Sequence, residues 1–225
     1  MAVAVKICGL TDAAALDAAV EGGARYLGFV FYPPSPRALR LKRAAELARR
    51  APPDRTKVGV FVDPDDDLLE RTLARVPLEA LQLHGAETPE RVHAIRTRTG
   101  RAVIKALQVA EPEDLGSVAA YAAVADMLLF DAKPPKEPGR LPGGNGLAFD
   151  WRLLRDLEAG CPWLLSGGLS ASNLEAAVRL CRAPAVDVSS GVERRPGVKD
   201  PARIGQFLRL AATLEPPERA IAAAS

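Results

Sequence analysis

Six short stretches of the sequence carry side chains that could do chemistry. A cysteine closes an apolar run in KICGLT (Cys8), an aspartate closes another in LLFDAK (Asp131), and a histidine a third in QLHG (His84). An arginine ends the proline-stiffened YPPSPR (Arg37). Two glycine turns, SGGLS and SSGVE, hold Gly167, Gly168, Ser190 and Gly191. A thiol becomes a base or nucleophile as the thiolate, and a carboxyl group gives or takes a proton. Glycine lets backbone N–H groups approach an anion closely. The two turns together favour a phosphate-bearing substrate. Each residue also has a plainer reading. A lone cysteine is often an inert core residue. An aspartate at a strand end is often a cap, an arginine in a loop is often solvated, and His84 could simply bond a loop backbone.

The elements that would position these residues follow a regular alternation. Eight β-branched runs, VAVKIC, YLGFVF, KVGVFV, LEALQLH, RAVIKAL, DMLLFD, WLLS and AVDVSS, are each followed by a stretch with helical patterning. The sixth such stretch, FDWRLLRDLEA, comes after the Gly/Pro-rich AKPPKEPGRLPGGNG, whose length suits a flap over a site. Strict strand–helix alternation implies parallel strands and right-handed crossovers. Eight pairs in this length predict a closed (β/α)8 TIM barrel. The other candidate, an open doubly wound sheet, usually carries an early GxGxxG, and the first turn here reads CGLTD. The barrel reading makes residues 1–214 one domain, with 215–225 a fraying tail and a short extra helix within GVERRPGVKD before the last helix.

In such a barrel the C-terminal ends of the strands carry the active site. Asp63, Lys105 and Ser189 join the first six stretches on that rim. Alternation sharpens the picture. Side chains point to opposite faces at successive strand positions, so Val3, Val5 and Ile7 face the helices while Lys6 and Cys8 face the barrel interior. The same logic turns Asp187 and Ser189 inward on strand 8, beside strand 1. Lys6 and Asp187 are therefore expected to form a buried ion pair, since an unpaired buried charge is costly.

Bulk composition excludes other classes. The net charge is +2 over 225 residues with the basic residues scattered, which gives no nucleic-acid surface. No apolar run is long enough to span a membrane. The N-terminus lacks the pattern of a signal peptide. Three widely spaced cysteines and two histidines give neither a disulfide framework nor a metal site. A reducing cytoplasm is the expected location, and the chain is expected to be a monomer or a homodimer.

The strand ends, taken in order, resemble the phosphoribosylanthranilate isomerases of tryptophan biosynthesis. The matching stretches are KICGLT, GFVFYPPSPR, VGVFVD, LQLHG, LLFDAK, GGNGLAFDW, SGGLSASN and DVSSGVE followed by GVKD, from residue 6 to residue 200. Asn145 stands where that family leads one to expect threonine, and Ser166 where it leads one to expect alanine. The resemblance implies an Amadori rearrangement of N-(5-phosphoribosyl)anthranilate without cofactor or metal. It implies Asp131 as general acid, Cys8 as general base, Arg37 on the anthranilate carboxylate, and Gly167, Gly168, Ser190 and Gly191 on the phosphate. His84, by its place on the rim, is a further candidate substrate contact. Two other readings stay open: a different phosphosugar isomerase, and a barrel that binds phosphate without catalysis. With an ordinary thiol value of about 8.5, Cys8 would be mostly protonated near neutrality. Lys6 is the neighbour expected to favour its thiolate.

Overall fold

A computed structural model describes residues 2–134, 143–144 and 146–215. Eight parallel strands close into a barrel: β1 Ala4–Cys8, β2 Tyr26–Val30, β3 Thr56–Phe61, β4 Ala80–Leu83, β5 Ala102–Val109, β6 Met127–Ala132, β7 Trp163–Leu165 and β8 Ala185–Val188. The helices are α1 Ala13–Glu21, α2 Leu41–Arg50, α3 Asp66–Leu73, α4 Pro89–Thr99, α5 Val118–Ala122, α6 Leu174–Cys181 and α7 Pro201–Ala212. Side-chain caps fix where several of them begin. Asp12, Asp65, Thr88 and Asp200 accept backbone N–H bonds from the first turns of α1, α3, α4 and α7.

Strand alternation divides the core. Ile7, Leu27, Phe29, Leu81, Leu83 and Phe130 face the helices in one large apolar cluster. Val58, Ala80, Ile104, Ala106, Leu129 and Leu164 fill the barrel interior. Above that inner layer lies a polar one. The β1–β8 register sets Lys6 beside Asp187, and the expected ion pair is formed, Nζ to Oδ1 at 2.8 Å with both side chains buried. Burial alone would lower Lys6, but the Asp187 carboxylate and Cys8 together outweigh it and hold the ammonium at about 12. Replacing Lys6 by methionine leaves Asp187 buried without its cation. That change is expected to cost about 3–5 kcal/mol in denaturant unfolding. A loss below about 1 kcal/mol would show that the pair does not hold the barrel together.

Two connections differ from the sequence reading. The sixth crossover carries a 3-10 turn, Trp151–Leu154, where a full helix was expected. The Asp150 carboxylate takes the Arg152 N–H and its guanidinium. The following backbone bonds, from Leu153 to Asp150, Arg155 to Arg152 and Leu157 to Leu154, each span three residues. Trp151, Leu153 and Leu157 still pack onto the core, so the sheet is covered without an α-helix. The second difference lies in GVERRPGVKD. The helical segment is a single 3-10 turn, Ser190–Val192, and the chain then forms a hairpin of β9 Glu193–Arg195 and β10 Val198–Lys199. Gly197, at φ +81°, makes the hairpin turn and lies against the Pro36 backbone, where any Cβ would collide.

The flap expected after Asp131 falls mostly on residues 135–142 and Asn145, outside the described residues, as does the expected tail from 216 onward. Among the described residues, no helix is long and apolar enough to cross a membrane.

Candidate active site

A cavity opens at the C-terminal ends of the strands. Cys8 from β1, Asp131 from β6, and Arg37 and His84 from the loops after β2 and β4 line it, together with Gly167, Gly168 and Ser190. The structure thus brings seven of the eight candidate residues to one space. The eighth, Gly191, stands behind the wall. A Cβ there would overlap the Leu169 carbonyl, so Gly191 lets the loops after β7 and β8 touch. Gly167 and Gly168 have φ of +85° and +64°, and a Cβ on Gly168 would come within 2.8 Å of the Leu147 backbone. Asn173 braces this turn by donating to the Gly168 carbonyl at 2.9 Å.

The three other rim residues serve the frame. Asp63 accepts the Ala86 N–H at 2.7 Å, and Lys105 is buried against Glu87 at 2.7 Å. Ser189 donates to the Cys8 carbonyl at 3.1 Å and so ties β8 to the end of β1.

Arg37 sits deeper than a loop arginine normally would, only 5 % exposed. Its stem crosses the turn after β1, where Gly9 (φ +80°) leaves room. A Cβ on Gly9 would stand 2.5 Å from the Arg37 Cδ. The Arg37 guanidinium donates through Nε and Nη2 to both oxygens of Glu193, at 2.8 and 2.9 Å, and from Nη2 to the Gly144 carbonyl at 3.2 Å. Glu193 also accepts from Lys199 Nζ at 2.8 Å. Burial raises the Glu193 carboxyl, but Arg37 and Lys199 overcome that and hold it below its ordinary value. Two cations around one carboxylate leave an excess positive charge beside the cavity. Among the described residues, Nη1 of Arg37 has no hydrogen-bond partner. Glu193 and Lys199 were missed as site residues by sequence reasoning, although both lie in the matching stretches DVSSGVE and GVKD.

His84 bonds side chains rather than a loop backbone, contrary to the plainer reading of its sequence. Its ring lies between Gln82 Nε2, 2.7 Å from Nδ1, and Asp131 Oδ2, 3.1 Å from Nε2. Asp131 Oδ1 accepts the Ala132 N–H at 2.9 Å.

Cys8 is 8 % exposed. Burial pushes its thiol up from its ordinary value. Lys6 pulls it back, Asp187 pushes it up again, and Lys199 adds a second downward pull. Lys6 therefore favours the thiolate, as expected, but less than burial opposes it, and its own charge is matched by Asp187. The resting state at neutral pH is the thiol. Alkylation of Cys8 by iodoacetamide, followed by mass mapping of the labelled peptide, should rise about tenfold per pH unit up to above pH 9. A plateau below pH 8 would contradict this balance. Cys181, pushed up to about 12 by burial, should stay unlabelled over the same range.

A thiol, a carboxyl group and a carboxylate-matching guanidinium on one barrel rim frame the comparison with known proteins. The family model described as N-(5'phosphoribosyl)anthranilate (PRA) isomerase matches residues 5–209. The chain belongs to the N-(5'-phosphoribosyl)anthranilate isomerase family. A family member from Paracoccus denitrificans is 61 % identical over 208 residues, 92 % of this chain and 96 % of the relative. One from Paramagnetospirillum magneticum is 56 % identical over 211 residues, 94 % of this chain and 98 % of the relative. Among solved structures, the phosphoribosyl anthranilate isomerase of Thermotoga maritima superposes with a TM-score of 0.84 at 37 % identity, covering 94 % of this chain and 100 % of that one. A phosphoribosyl anthranilate isomerase solved with reduced 1-(o-carboxyphenylamino)-1-deoxyribulose 5-phosphate superposes with a TM-score of 0.81 at 36 % identity, again covering 94 % and 100 %. Like other members of this isomerase family, the chain is an enzyme.

Proposed function

We propose that this enzyme converts N-(5-phosphoribosyl)anthranilate to 1-(2-carboxyphenylamino)-1-deoxyribulose 5-phosphate in tryptophan biosynthesis, with Asp131 as the acid and Cys8 as the base. The observation that carries this reading is the meeting of the β1 thiol and the β6 carboxyl in one cavity with Arg37 on its wall. The Cys8 thiol also separates this reaction from its rivals. A phosphosugar isomerase working with two aspartates would carry a carboxylate where Cys8 stands, and a barrel that only binds phosphate would need neither group.

The steps follow from the groups present. Asp131 gives its proton to the furanose ring oxygen as the C1–O bond breaks. The anthranilate nitrogen supplies the electron pair, and an iminium forms at C1. The iminium acidifies the C2 proton, which passes to the Cys8 thiolate, and the electron pair from C2–H neutralises the nitrogen. The resulting enolamine becomes the ketone by moving a proton from the C2 hydroxyl to C1. Because Cys8 rests as the thiol, its own proton first passes through water to the Asp131 carboxylate left by ring opening, so once the thiolate has taken the C2 proton both residues stand as they began, Asp131 as the acid and Cys8 as the thiol. A cationic iminium near the sulfur favours the thiolate at the moment it is needed. The substrate nitrogen supplies the electron pairs, so no metal or cofactor takes part.

Arg37 receives the anthranilate carboxylate, with Glu193 holding the far edge of the guanidinium. The Gly167–Gly168 turn and Ser190 receive the phosphate, with Gly191 letting the two loops meet behind them and His84 beside the reacting sugar. The enzyme works in the cytoplasm as a monomer or homodimer on this small-molecule substrate.

Following the loss of anthranilate-type fluorescence on incubation with N-(5-phosphoribosyl)anthranilate tests the reading. Wild type should consume the substrate. Arg37→Lys should raise KM about tenfold or more, because an ammonium cannot reproduce the two-edged fork between Glu193 and the substrate. No turnover by wild type would favour a binding protein, and an unchanged KM in Arg37→Lys would move the carboxylate site elsewhere.

A further inference from the structure

Gln82 is a polar side chain without a role in the fold. It lies on β4 between Ala80 and His84, pointing into the barrel, and is completely buried. The interior layer beneath it is apolar, built from Val58, Ala80, Ile104 and Leu129. A leucine would fill such a position at no polar cost, whereas a buried amide is expensive unless its groups are bonded. Its amide Nε2 lies 2.7 Å from His84 Nδ1, and its Oε1 has no partner among the described residues.

An amide nitrogen can only donate. Nδ1 of a neutral His84 is then the acceptor, the ring proton sits on Nε2, and Nε2 donates to Asp131 Oδ2 across 3.1 Å. The reversed amide would bury an N–H without an acceptor, which is rarer in proteins than an unpaired carbonyl. Asp131 is thereby held from both sides, with the Ala132 N–H on Oδ1 and the imidazole on Oδ2. The Gly143 backbone closes over the pair. A Cβ there would come within 2.5 Å of His84 Nε2 and 2.8 Å of Asp131 Oδ2.

We propose that Gln82 and His84 are positioning residues for Asp131. Gln82 fixes the imidazole proton on Nε2, and the Nε2–H fixes the plane of the Asp131 carboxyl group. The proton that Asp131 delivers then occupies a lone pair that neither donor uses. The inference rests on the proposed role of Asp131 as acid, and it makes Gln82 the deepest member of a three-residue line from core to substrate.

The chain has two histidines, and the other, His93, is exposed on α4. Two-bond proton–nitrogen NMR correlations therefore assign the His84 tautomer with His93 as an internal reference. Wild type should show the proton on Nε2. In Gln82→Leu the His84 ring should become a mixture of tautomers, and kcat should fall about ten- to hundredfold with KM within about twofold, the signature of a misaligned acid rather than lost binding. Gln82→Glu keeps the length and should bond the ring through a carboxylate instead, giving a doubly protonated imidazole and a similar fall in kcat. If the leucine variant fails to fold, the glutamate variant decides. A wild-type proton on Nδ1, or a folded variant with unchanged ring shifts and kcat within about twofold, would overturn the inference alone. A wild type that turns over no substrate would overturn the reaction and the inference with it.

Discussion

An Asp131→Asn variant is expected to lose about 10²- to 10⁴-fold in kcat while KM stays within a few-fold of wild type. The amide has nearly the shape of the carboxyl group, so substrate still fits, but it cannot deliver a proton to the furanose oxygen. The structure adds a second cost. The Ala132 N–H requires an oxygen at the Oδ1 position. The amide nitrogen must then face His84, whose Nε2 also donates in the Gln82-bonded tautomer. Two donors face each other until the ring changes tautomer or tilts. Loss of the line through His84 alone should cost less than loss of the acid, so Asp131→Asn should be the slower of the two enzymes. Steady-state fluorescence assays on both variants, at substrate concentrations spanning KM, make the comparison. A kcat within tenfold of wild type for Asp131→Asn would take the acid role away from this residue.

Cys8→Ala is expected to produce a loss of the same order, about 10²- to 10⁴-fold in kcat, again with little change in KM. Arg37 and the glycine turns remain, so the carboxylate and phosphate of the substrate keep their partners. Only the acceptor for the C2 proton is removed. An inert core cysteine predicts the opposite: unchanged turnover and a small change in stability. Measuring kcat together with the thermal midpoint separates the two, because a packing defect lowers the midpoint and leaves kcat alone. The resting thiol does not weaken this prediction. Burial and the Asp187 carboxylate together outweigh the pull of Lys6 and Lys199, and the cationic iminium supplies the missing bias only once the ring has opened.

Much of this was legible in the sequence, for identifiable reasons. Period-two alternation in VAVKIC placed Lys6 and Cys8 inside the barrel. The closure of β8 on β1 then brought Asp187 next to Lys6, because neighbouring parallel strands keep one register. The glycine turns were legible because left-handed backbone and close approach select glycine. What could not be read were pairings that depend on how separate loops fold over the rim. The Arg37 guanidinium meets Glu193 only because the segment after Ser190 turns into a hairpin seated on Pro36, and Pro196–Gly197 does not announce a hairpin over a helical turn. The sixth crossover looked helical because its apolar spacing also suits a 3-10 turn that Asp150 caps tightly. Gln82 was within reach of the same alternation that placed Cys8. LEALQLH sets Ala80, Gln82 and His84 on one face, and a glutamine on that face was the signal for a buried polar contact.

The central claim is that Asp131 and Cys8 together perform the rearrangement in the cavity they share. The most direct test is the rate of anthranilate-type fluorescence loss from N-(5-phosphoribosyl)anthranilate with wild type and with the double variant Cys8→Ala, Asp131→Ala. The account predicts rapid loss with wild type and, with the folded double variant, a rate at least about 10³-fold lower. A double variant that retains activity within tenfold of wild type would contradict it.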